Sequence, residues 1–230
     1  MPDIQSIYPK AENGNKYTQI RIETLQQDHG FDLKKTILAT SVCSDEIIQS
    51  ATNFRDHVAL DNPFQIGGLA GFPFAGLTGF HAFAGHIPDD GGAIIIYGPH
   101  IGVSESNHTG KVIRTGQRIE TSCCGALVGA VGALKNAESP KPDKELDYQQ
   151  WLLTDQLSRH TDEITESDDP LIAATDRMFE KIDGRIKKLL EKSRDHFKGV
   201  RVALLGGIII NTDYGKDDWF DERNFEVHSF

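Results

Sequence analysis

Three short apolar runs rich in β-branched residues constrain the fold of this chain more than any other feature. They are Thr36–Cys43, Ala93–Tyr97 and Val200–Ile210. Runs of this length and composition are typical of strands that are buried on both faces, as in parallel sheets covered by helices. Between them lie segments with apolar residues at helical spacing, such as 125–134 and 170–190. This alternation predicts an α/β fold with a largely parallel central sheet flanked by helices.

The chain has 230 residues, of which 38% are hydrophobic, and this is enough to bury one core. We therefore expect a single domain over 1–230. Residues 1–35 are polar and mixed in charge, and are expected to form an outer N-terminal segment. Residues 139–198 are expected to form a helical part that opens with the proline-containing break SPKPDK, and 199–230 to contain the last core strand and a polar tail.

Two segments between the first two apolar runs have patterns of their own. After Ser44, two acidic residues and then apolar residues at helical spacing, among them Ala51, predict a helix that reaches Val58. The stretch 64–92 contains eight glycines interleaved with phenylalanines. Flexible linkers are polar, whereas here each small residue neighbours a large apolar one. The stretch therefore predicts close backbone approach within a packed region.

Charge and apolar content argue against two classes of partner. Twenty-four Lys and Arg stand against 34 Asp and Glu, and the formal charge of -10 makes a nucleic-acid partner unfavourable. No apolar run approaches the roughly 18 residues of a membrane-spanning helix, and the first residues lack the basic and apolar regions of a leader. We expect a cytoplasmic protein without a membrane partner, with an organelle left open. Three cysteines, an odd number, predict free thiols or metal ligands rather than a disulfide framework.

Cysteine and histidine residues fall where the predicted strands end. Cys43 and His100 each follow a predicted strand, and Cys123 and Cys124 directly precede a predicted helix. In open parallel sheets the functional crevice lies beyond the carboxyl ends of the strands. Two thiolates and one imidazole form a known catalytic zinc set, which leaves a fourth position for water or substrate. The residues therefore indicate a zinc site.

Other interpretations of the same residues stay open at this point. A buried cysteine such as Cys43 is most often an inert apolar group. The adjacent Cys123 and Cys124 could instead serve a thiol-redox protein. Three further histidines could replace the one at position 100 as ligand: His81, His86 and His108.

Five local strings together resemble a known family. They are SVCSDE at 41–46, GGLAGFPFAGLTGFHAFAGHIPDDG at 67–91, GPHIG at 98–102, GKVIRTGQ at 110–117 and SCCGA at 122–126. These strings are similar to those of the limiting-CO2-inducible B/C protein family. That family resembles β-carbonic anhydrases in fold and zinc site and is also described as a theta class. The resemblance covers roughly residues 36–135 and implies a β-carbonic anhydrase-like domain.

The resemblance also implies roles for individual residues. Cys43 and His100 match zinc ligands, and Asp45 matches the catalytic aspartate of a Cys-x-Asp element. The second zinc cysteine is either Cys123 or Cys124, and one tetrahedral ion is expected to bind only one of two adjacent residues. A homodimer is implied as well, because the family builds its site near a subunit interface.

The activity implied by the resemblance is that of a zinc-dependent carbonic anhydrase, a lyase that reversibly hydrates CO2 to bicarbonate. In such a site, zinc lowers the pKa of a bound water, and the resulting hydroxide attacks CO2. The Gly/Phe-rich stretch could supply an apolar wall for this substrate. The candidates for that wall are Leu69, Phe72, Phe74 and Phe80, although residues of these types more often belong to an ordinary core.

The sequence departs from the β-class pattern at one position. β-Carbonic anhydrases carry Cys-x-Asp-x-Arg, whereas Ile47 occupies the arginine position here. In that class the arginine holds the aspartate off the metal. The leading alternative is therefore a noncatalytic zinc-containing regulatory or scaffold protein in CO2 and bicarbonate handling.

Overall fold

Strands and helices alternate along the chain. The computed structural model describes residues 2–50, 53–58, 62–136 and 142–230. The strands are β1 (Glu12–Asn13), β2 (Thr36–Ser41), β3 (Phe64–Gln65), β4 (Gly92–Tyr97), β5 (His100–Gly102), β6 (Lys111–Val112), β7 (Thr121–Ser122), β8 (Arg201–Asn211) and β9 (Trp219–Ser229). The α-helices are α1 (Ile4–Ile7), α2 (Gly14–Gln27), α3 (Gly76–Gly85), α4 (Gly125–Lys135), α5 (Tyr148–Ser158), α6 (Thr161–Thr165) and α7 (Pro170–Lys192). Short 3-10 turns lie at Leu33–Lys35, Glu46–Ser50, Asn53–His57, Leu69–Gly71 and Arg194–Phe197.

The main sheet has the order β1-β9-β8-β4-β2-β3, with β5 also paired to β8. Strands β3, β2, β4, β8 and β5 pair in parallel, whereas β9 pairs with β8 and β1 in antiparallel fashion. Every residue of β2 and β4 is buried, as expected for strands with both faces covered. The predicted α/β architecture is confirmed. The sheet is mixed because its last long strand runs antiparallel.

Helix α7 shows how the sequence determines one covering element. Asp169 caps its start by accepting hydrogen bonds from two backbone N–H groups, and Pro170 occupies the first turn, where no N–H is needed. Met178, Ile182 and Ile186 recur at helical spacing and are fully buried. Burying each such side chain contributes about 1.5–3 kcal/mol relative to its exposure. No helix in the described part of the chain is long and apolar enough to cross a membrane.

The Gly/Phe-rich stretch forms a packed region with close backbone contacts, which confirms the prediction. Gly71 has a φ of +80°, and a Cβ on it would lie 2.2 Å from the carbonyl oxygen of Gly98. A Cβ on Gly67 would lie 2.5 Å from the carbonyl oxygen of Val42. Only glycine permits these approaches, so this stretch lies directly against the segments that follow β2 and β4.

The helix predicted over 44–58 is wrong as a continuous element. Two separate 3-10 turns occupy this region, and Ala51 lies outside the described residues. The carboxylate of Asp45 accepts a hydrogen bond at 3.3 Å from the backbone N–H of Ile47. An aspartate that binds the backbone two residues ahead favours a turn over a regular helix. This turn keeps Asp45 at the edge of the sheet.

The polar tail predicted after the last core strand is also wrong in part, because it contains β9. This strand pairs along β8 from Arg201 to Ile210, with Phe220 buried opposite Ile209. Its many polar residues fit a strand near the edge of the sheet, where most of the side chains are only half-buried. Of the break predicted at 139–144, residues 139–141 lie outside the described residues.

Candidate metal centre

The switch from β4 to β5 places His100 at the carboxyl edge of the sheet. β4 pairs with β8 as far as Gly206, and β5 resumes the pairing with His100 opposite Ile209. The chain passes between these pairings at Gly98, where φ is +152° and a Cβ would lie 1.7 Å from the carbonyl oxygen of Gly207. A side chain at that position would collide with the backbone of β8. The glycine therefore allows the path that buries the His100 ring completely.

Two cysteines reach the same edge from different elements. Cys43 lies two residues after β2, and Cys124 is the residue that precedes α4. Their sulfur atoms are 3.9 Å apart. Two sulfurs on one tetrahedral zinc ion are about 3.8 Å apart, because each Zn–S bond is about 2.3 Å long. The two thiols thus already have the spacing of ligands to a single ion.

His100 directs one ring nitrogen toward this position. Its Nδ1 lies 2.8 Å from Oδ1 of Asn211, the last residue of β8. Because an amide oxygen only accepts, Nδ1 donates, and in the neutral ring the lone pair is then on Nε2. Nε2 is buried and has no hydrogen-bond partner. The ligand atoms of Cys43, His100 and Cys124 lie within 4.8 Å of one another, a nitrogen and sulfur set that suits zinc.

Cys123 contacts the other side of the imidazole. Its sulfur is 3.5 Å from Nδ1 of His100 and 3.7 Å from Oδ1 of Asn211. Asp45, His100 and Cys123 also form a group whose ligand atoms lie within 4.8 Å of one another. However, Nδ1 is engaged with Asn211, so the nitrogen available to a metal is Nε2. The geometry therefore favours Cys124 over Cys123 as the partner of Cys43.

The start of α4 stabilises a thiolate at Cys124. The contact with Cys43 lowers the pKa of Cys124 and outweighs its burial, and the backbone N–H groups of Ala126 and Leu127 lower this pKa further. The same contact and its own burial raise the pKa of Cys43. The metal-free pair therefore carries one negative charge more readily than two, and a bound cation would favour loss of the second proton.

Asp45 lies beside the three donors and binds an arginine. Its Oδ2 is 3.9 Å from Nε2 of His100. Arg114 donates from Nη1 to Oδ1 at 2.7 Å and from Nη2 to Oδ2 at 2.8 Å, a two-bond pair. Burial alone would raise the pKa of Asp45, but the hydrogen bonds from Arg114 and other neighbours lower it to about 2. The carboxylate is therefore ionised at neutral pH.

A cavity of about 530 Å³ opens onto Cys43 and Asp45. Its apolar lining includes Leu38, Val42 and Ile48. Its polar lining includes Thr40, Gln65 and the exposed Arg55.

The core interpretation of the Gly/Phe-rich stretch is confirmed and the wall interpretation is wrong, because none of the four candidates lines this cavity. Phe80 is fully buried, and the rings of Phe72 and Phe74 pack against each other with centroids 5.2 Å apart. Phe72 and Phe80 are buried in the core, and the partly buried Phe74 packs against it.

The other histidines do not join the donor cluster. His81 stacks on His196 with ring centroids 3.9 Å apart, and His86 lies beside Phe64. His108 pairs with Glu120 at 2.8 Å on the surface. Of the histidines weighed from the sequence, the structure brings His100 alone to the cysteines.

Similarity to known proteins points to one family. The family model described as limiting CO2-inducible proteins B/C β-carbonic anhydrases matches residues 13–229. The chain belongs to this family. A crystal structure of PtLCIB4, a homolog of the limiting CO2-inducible protein LCIB, is 34% identical and matches with a TM-score of 0.90, covering 98% of this chain and 94% of that chain.

Two further solved structures are similar to the chain. LCIB itself is 20% identical, with a TM-score of 0.70 over 96% of this chain and 92% of that chain, which shows a shared fold. One of two tetrameric β-carbonic anhydrases from Sordaria macrospora gives a TM-score of 0.45 at 12% identity, over 86% of this chain and 88% of that chain. None of the curated proteins matches the chain.

Two residues of the site in this limiting-CO2-inducible B/C family member were missed by sequence reasoning. Asn211 lies 111 positions from His100, and Arg114 lies 69 positions from Asp45. Neither separation forms a local pattern. The signal that could have found them is chemical, because a buried metal-binding imidazole needs an acceptor at its second nitrogen and a buried carboxylate needs a cation.

Proposed function

We propose that this protein is a zinc-dependent carbonic anhydrase that interconverts CO2 and bicarbonate, with Cys43, His100 and Cys124 as the metal ligands. The observation that carries the proposal is the buried, unpartnered Nε2 of His100 beside two thiols that are 3.9 Å apart. When bound there, zinc would supply the Lewis acidity that makes water a nucleophile at neutral pH. Membership of a carbonic anhydrase-like family supports the reaction class.

The chain's own groups would orient the reactants. Asn211 holds the ring of His100 through Nδ1, which leaves the buried Nε2 as the nitrogen for the metal. Asp45 is ionised and lines the cavity, and its carboxylate would accept a hydrogen bond from the attacking water and so direct the oxygen lone pair toward CO2.

The cavity suits both the substrate and the product. CO2 is small and apolar, and the side chains of Leu38, Val42 and Ile48 offer it an apolar wall next to the donor cluster. Bicarbonate is an anion, and the guanidinium of Arg55 gives the same cavity a positive charge.

The test combines zinc content with oxygen-isotope exchange between CO2 and water. We expect the native chain to hold zinc in equimolar amount and to catalyse exchange that a chelator abolishes. Cys43→Ser and Cys124→Ser should lose both metal and exchange, whereas the matched variant Cys123→Ser should keep both. Full zinc occupancy in Cys124→Ser would contradict the ligand assignment. A native chain with full zinc and no exchange would contradict the activity and favour the noncatalytic alternative.

We also propose that the protein forms a homodimer. Several apolar or aromatic side chains remain exposed and are available to a second copy: Ile119, Leu146 and Tyr214. Light scattering should give a mass twice the 25.5 kDa of one chain, and a monomer mass at micromolar concentration would contradict the proposal.

A further inference from the structure

We propose that Arg114 is the positioning residue that holds Asp45 off the metal position, and so takes the role of the arginine that Ile47 replaces in the β-class pattern. The inference rests on the proposed function, because it assumes a metal on Cys43, His100 and Cys124. It names a residue for which neither the local sequence pattern nor the family match gives a role.

The contact between Arg114 and Asp45 has the form that this role requires. The guanidinium of Arg114 donates hydrogen bonds to both carboxylate oxygens, at 2.7 and 2.8 Å, and its Nη2 also donates to the carbonyl oxygen of Ser122 at 3.1 Å. A fork that binds both oxygens fixes the plane of the carboxylate as well as its position. In the described part of the chain, no other arginine or lysine places a nitrogen within 4.0 Å of Asp45.

The distance between Asp45 and His100 shows why the carboxylate must be held in place. Oδ2 of Asp45 lies 3.9 Å from Nε2 of His100. Nitrogen and oxygen ligands on one tetrahedral zinc ion are about 3.3 Å apart, because both bonds are about 2.0–2.1 Å long. An unrestrained carboxylate beside the donors would be able to move toward them, occupy the fourth position and exclude water. The oxygen that must be restrained is the one that Arg114 Nη2 binds.

Arg114 is itself held in place. It follows β6, and the preceding Ile113 donates its backbone N–H to Asp213 at 2.7 Å and accepts from the backbone N–H of Tyr214 at 2.8 Å. The Arg114 side chain is 16% exposed. Its second carboxylate partner, Glu46, is 74% exposed, so that pair is screened by solvent and adds little. The rigid attachment allows Arg114 to act on Asp45 across the site.

The test reads the fourth position directly, with cobalt(II) in place of zinc and azide as the probe. In the native protein, azide should displace water and change the visible absorption of cobalt. In Arg114→Ala, Asp45 should take that position, so the spectrum should differ from the native one and fail to respond to azide. The double variant Arg114→Ala/Asp45→Ala should regain the response. Arg118→Ala, which removes an exposed arginine from the same loop, is the matched control and should behave like the native protein.

Activity gives a second readout. CO2 hydration should fall about 100-fold in Arg114→Ala, the scale expected when a reacting group is misplaced by about 1 Å. Adding Ile47→Arg to that variant should restore part of the rate, because it supplies a guanidinium at the β-class position. Arg114→Lys keeps the charge but not the fork, and should give an intermediate loss; this variant decides the question if the alanine variant does not fold.

The outcomes separate this inference from the proposed function. If the native protein does not hydrate CO2 but Arg114→Ala still abolishes the azide response, the inference stands and the proposed function falls. If the native protein is active and Arg114→Ala keeps both its azide response and its rate within twofold of Arg118→Ala, the inference is overturned.

Discussion

Asn211→Leu should weaken zinc binding without removing any ligand. Oδ1 of Asn211 accepts the hydrogen bond of Nδ1 of His100 at 2.8 Å, and both side chains are fully buried. Leucine has a similar size but no acceptor, so the ring would lose the contact that sets its tautomer and orientation. Partners of this kind are worth about 10–100-fold in metal affinity. That range corresponds to about 1.4–2.7 kcal/mol.

The stability of the metal-free protein should change less than zinc affinity. An unpaired buried N–H costs about 1–3 kcal/mol, which is the direct effect of losing Oδ1. However, Nδ2 of Asn211 is itself buried without a hydrogen-bond partner. Replacing the amide removes that unsatisfied group and offsets part of the loss. Zinc affinity is therefore the sharper measurement.

Competition with a chromogenic chelator measures the effect. Asn211→Asp keeps an acceptor for Nδ1 and should retain zinc affinity. Ile208→Val trims a fully buried side chain of the same strand, and should cost about 0.5–1.5 kcal/mol of stability while leaving zinc affinity unchanged. A leucine variant that binds zinc within twofold of the native protein would refute the reasoning, because the orientation of His100 would then be fixed elsewhere.

Three further predictions concern the ligands and their support. Zinc affinity should rise by about tenfold per pH unit for each proton released, because the raised pKa of Cys43 keeps its thiol protonated until a metal binds. Chelator competition between about pH 6.5 and 8.5 measures this rise, and an affinity that does not change with pH would contradict the prediction. Asp213→Asn should lower the free energy of unfolding in urea by about 1–3 kcal/mol, since its carboxylate accepts two backbone N–H groups, at 2.7 and 3.0 Å, and an amide offers one acceptor oxygen. Gly71→Ala should lower the free energy of unfolding by about 2–5 kcal/mol, because the φ of Gly71 is +80° and the new Cβ would lie 2.2 Å from the carbonyl oxygen of Gly98. Gly76 is the control, because its φ is +62° and a Cβ on it would have no atom within 4 Å. Thermal unfolding of Gly76→Ala should show a loss of only about 1–2 kcal/mol in the free energy of unfolding. Equal losses in the two variants would show that the contact between Gly71 and Gly98 is unimportant.

Local sequence patterns predicted the helices and strands whose burial can be inferred from their own residues alone. β2, β4 and β8 are continuous apolar runs, and α7 has a clear apolar face, so each could be found without knowledge of its neighbours. β9 could not, because its polar residues suit an edge strand only once β8 lies beside it. The turn at Asp45 was missed for a similar reason, because helical spacing does not reveal that the carboxylate of Asp45 accepts hydrogen bonds from Arg114, which is distant in sequence.

The donor cluster could be predicted in part. Placement after strands, together with the family resemblance, indicated Cys43, His100 and the Cys123–Cys124 pair, and the structure brings these residues together. Choosing between adjacent cysteines required the direction of each side chain and the hydrogen bond from His100 to Asn211. Both are properties of the folded chain, because they depend on β5 and β8 lying side by side.

The position of β9 also bears on how the protein avoids association through its sheet. In the part of the chain that the structure describes, β1 covers the outer side of β9 only at Trp219 and Phe220. The remainder of this edge carries charged groups that are already engaged in ion pairs: Arg21 with Glu222, Asp176 with Arg223 and Lys187 with Glu226. A strand from another molecule would have to disrupt these pairs in order to extend the ladder. The charges of the last strand therefore act as gatekeepers against edge-to-edge aggregation.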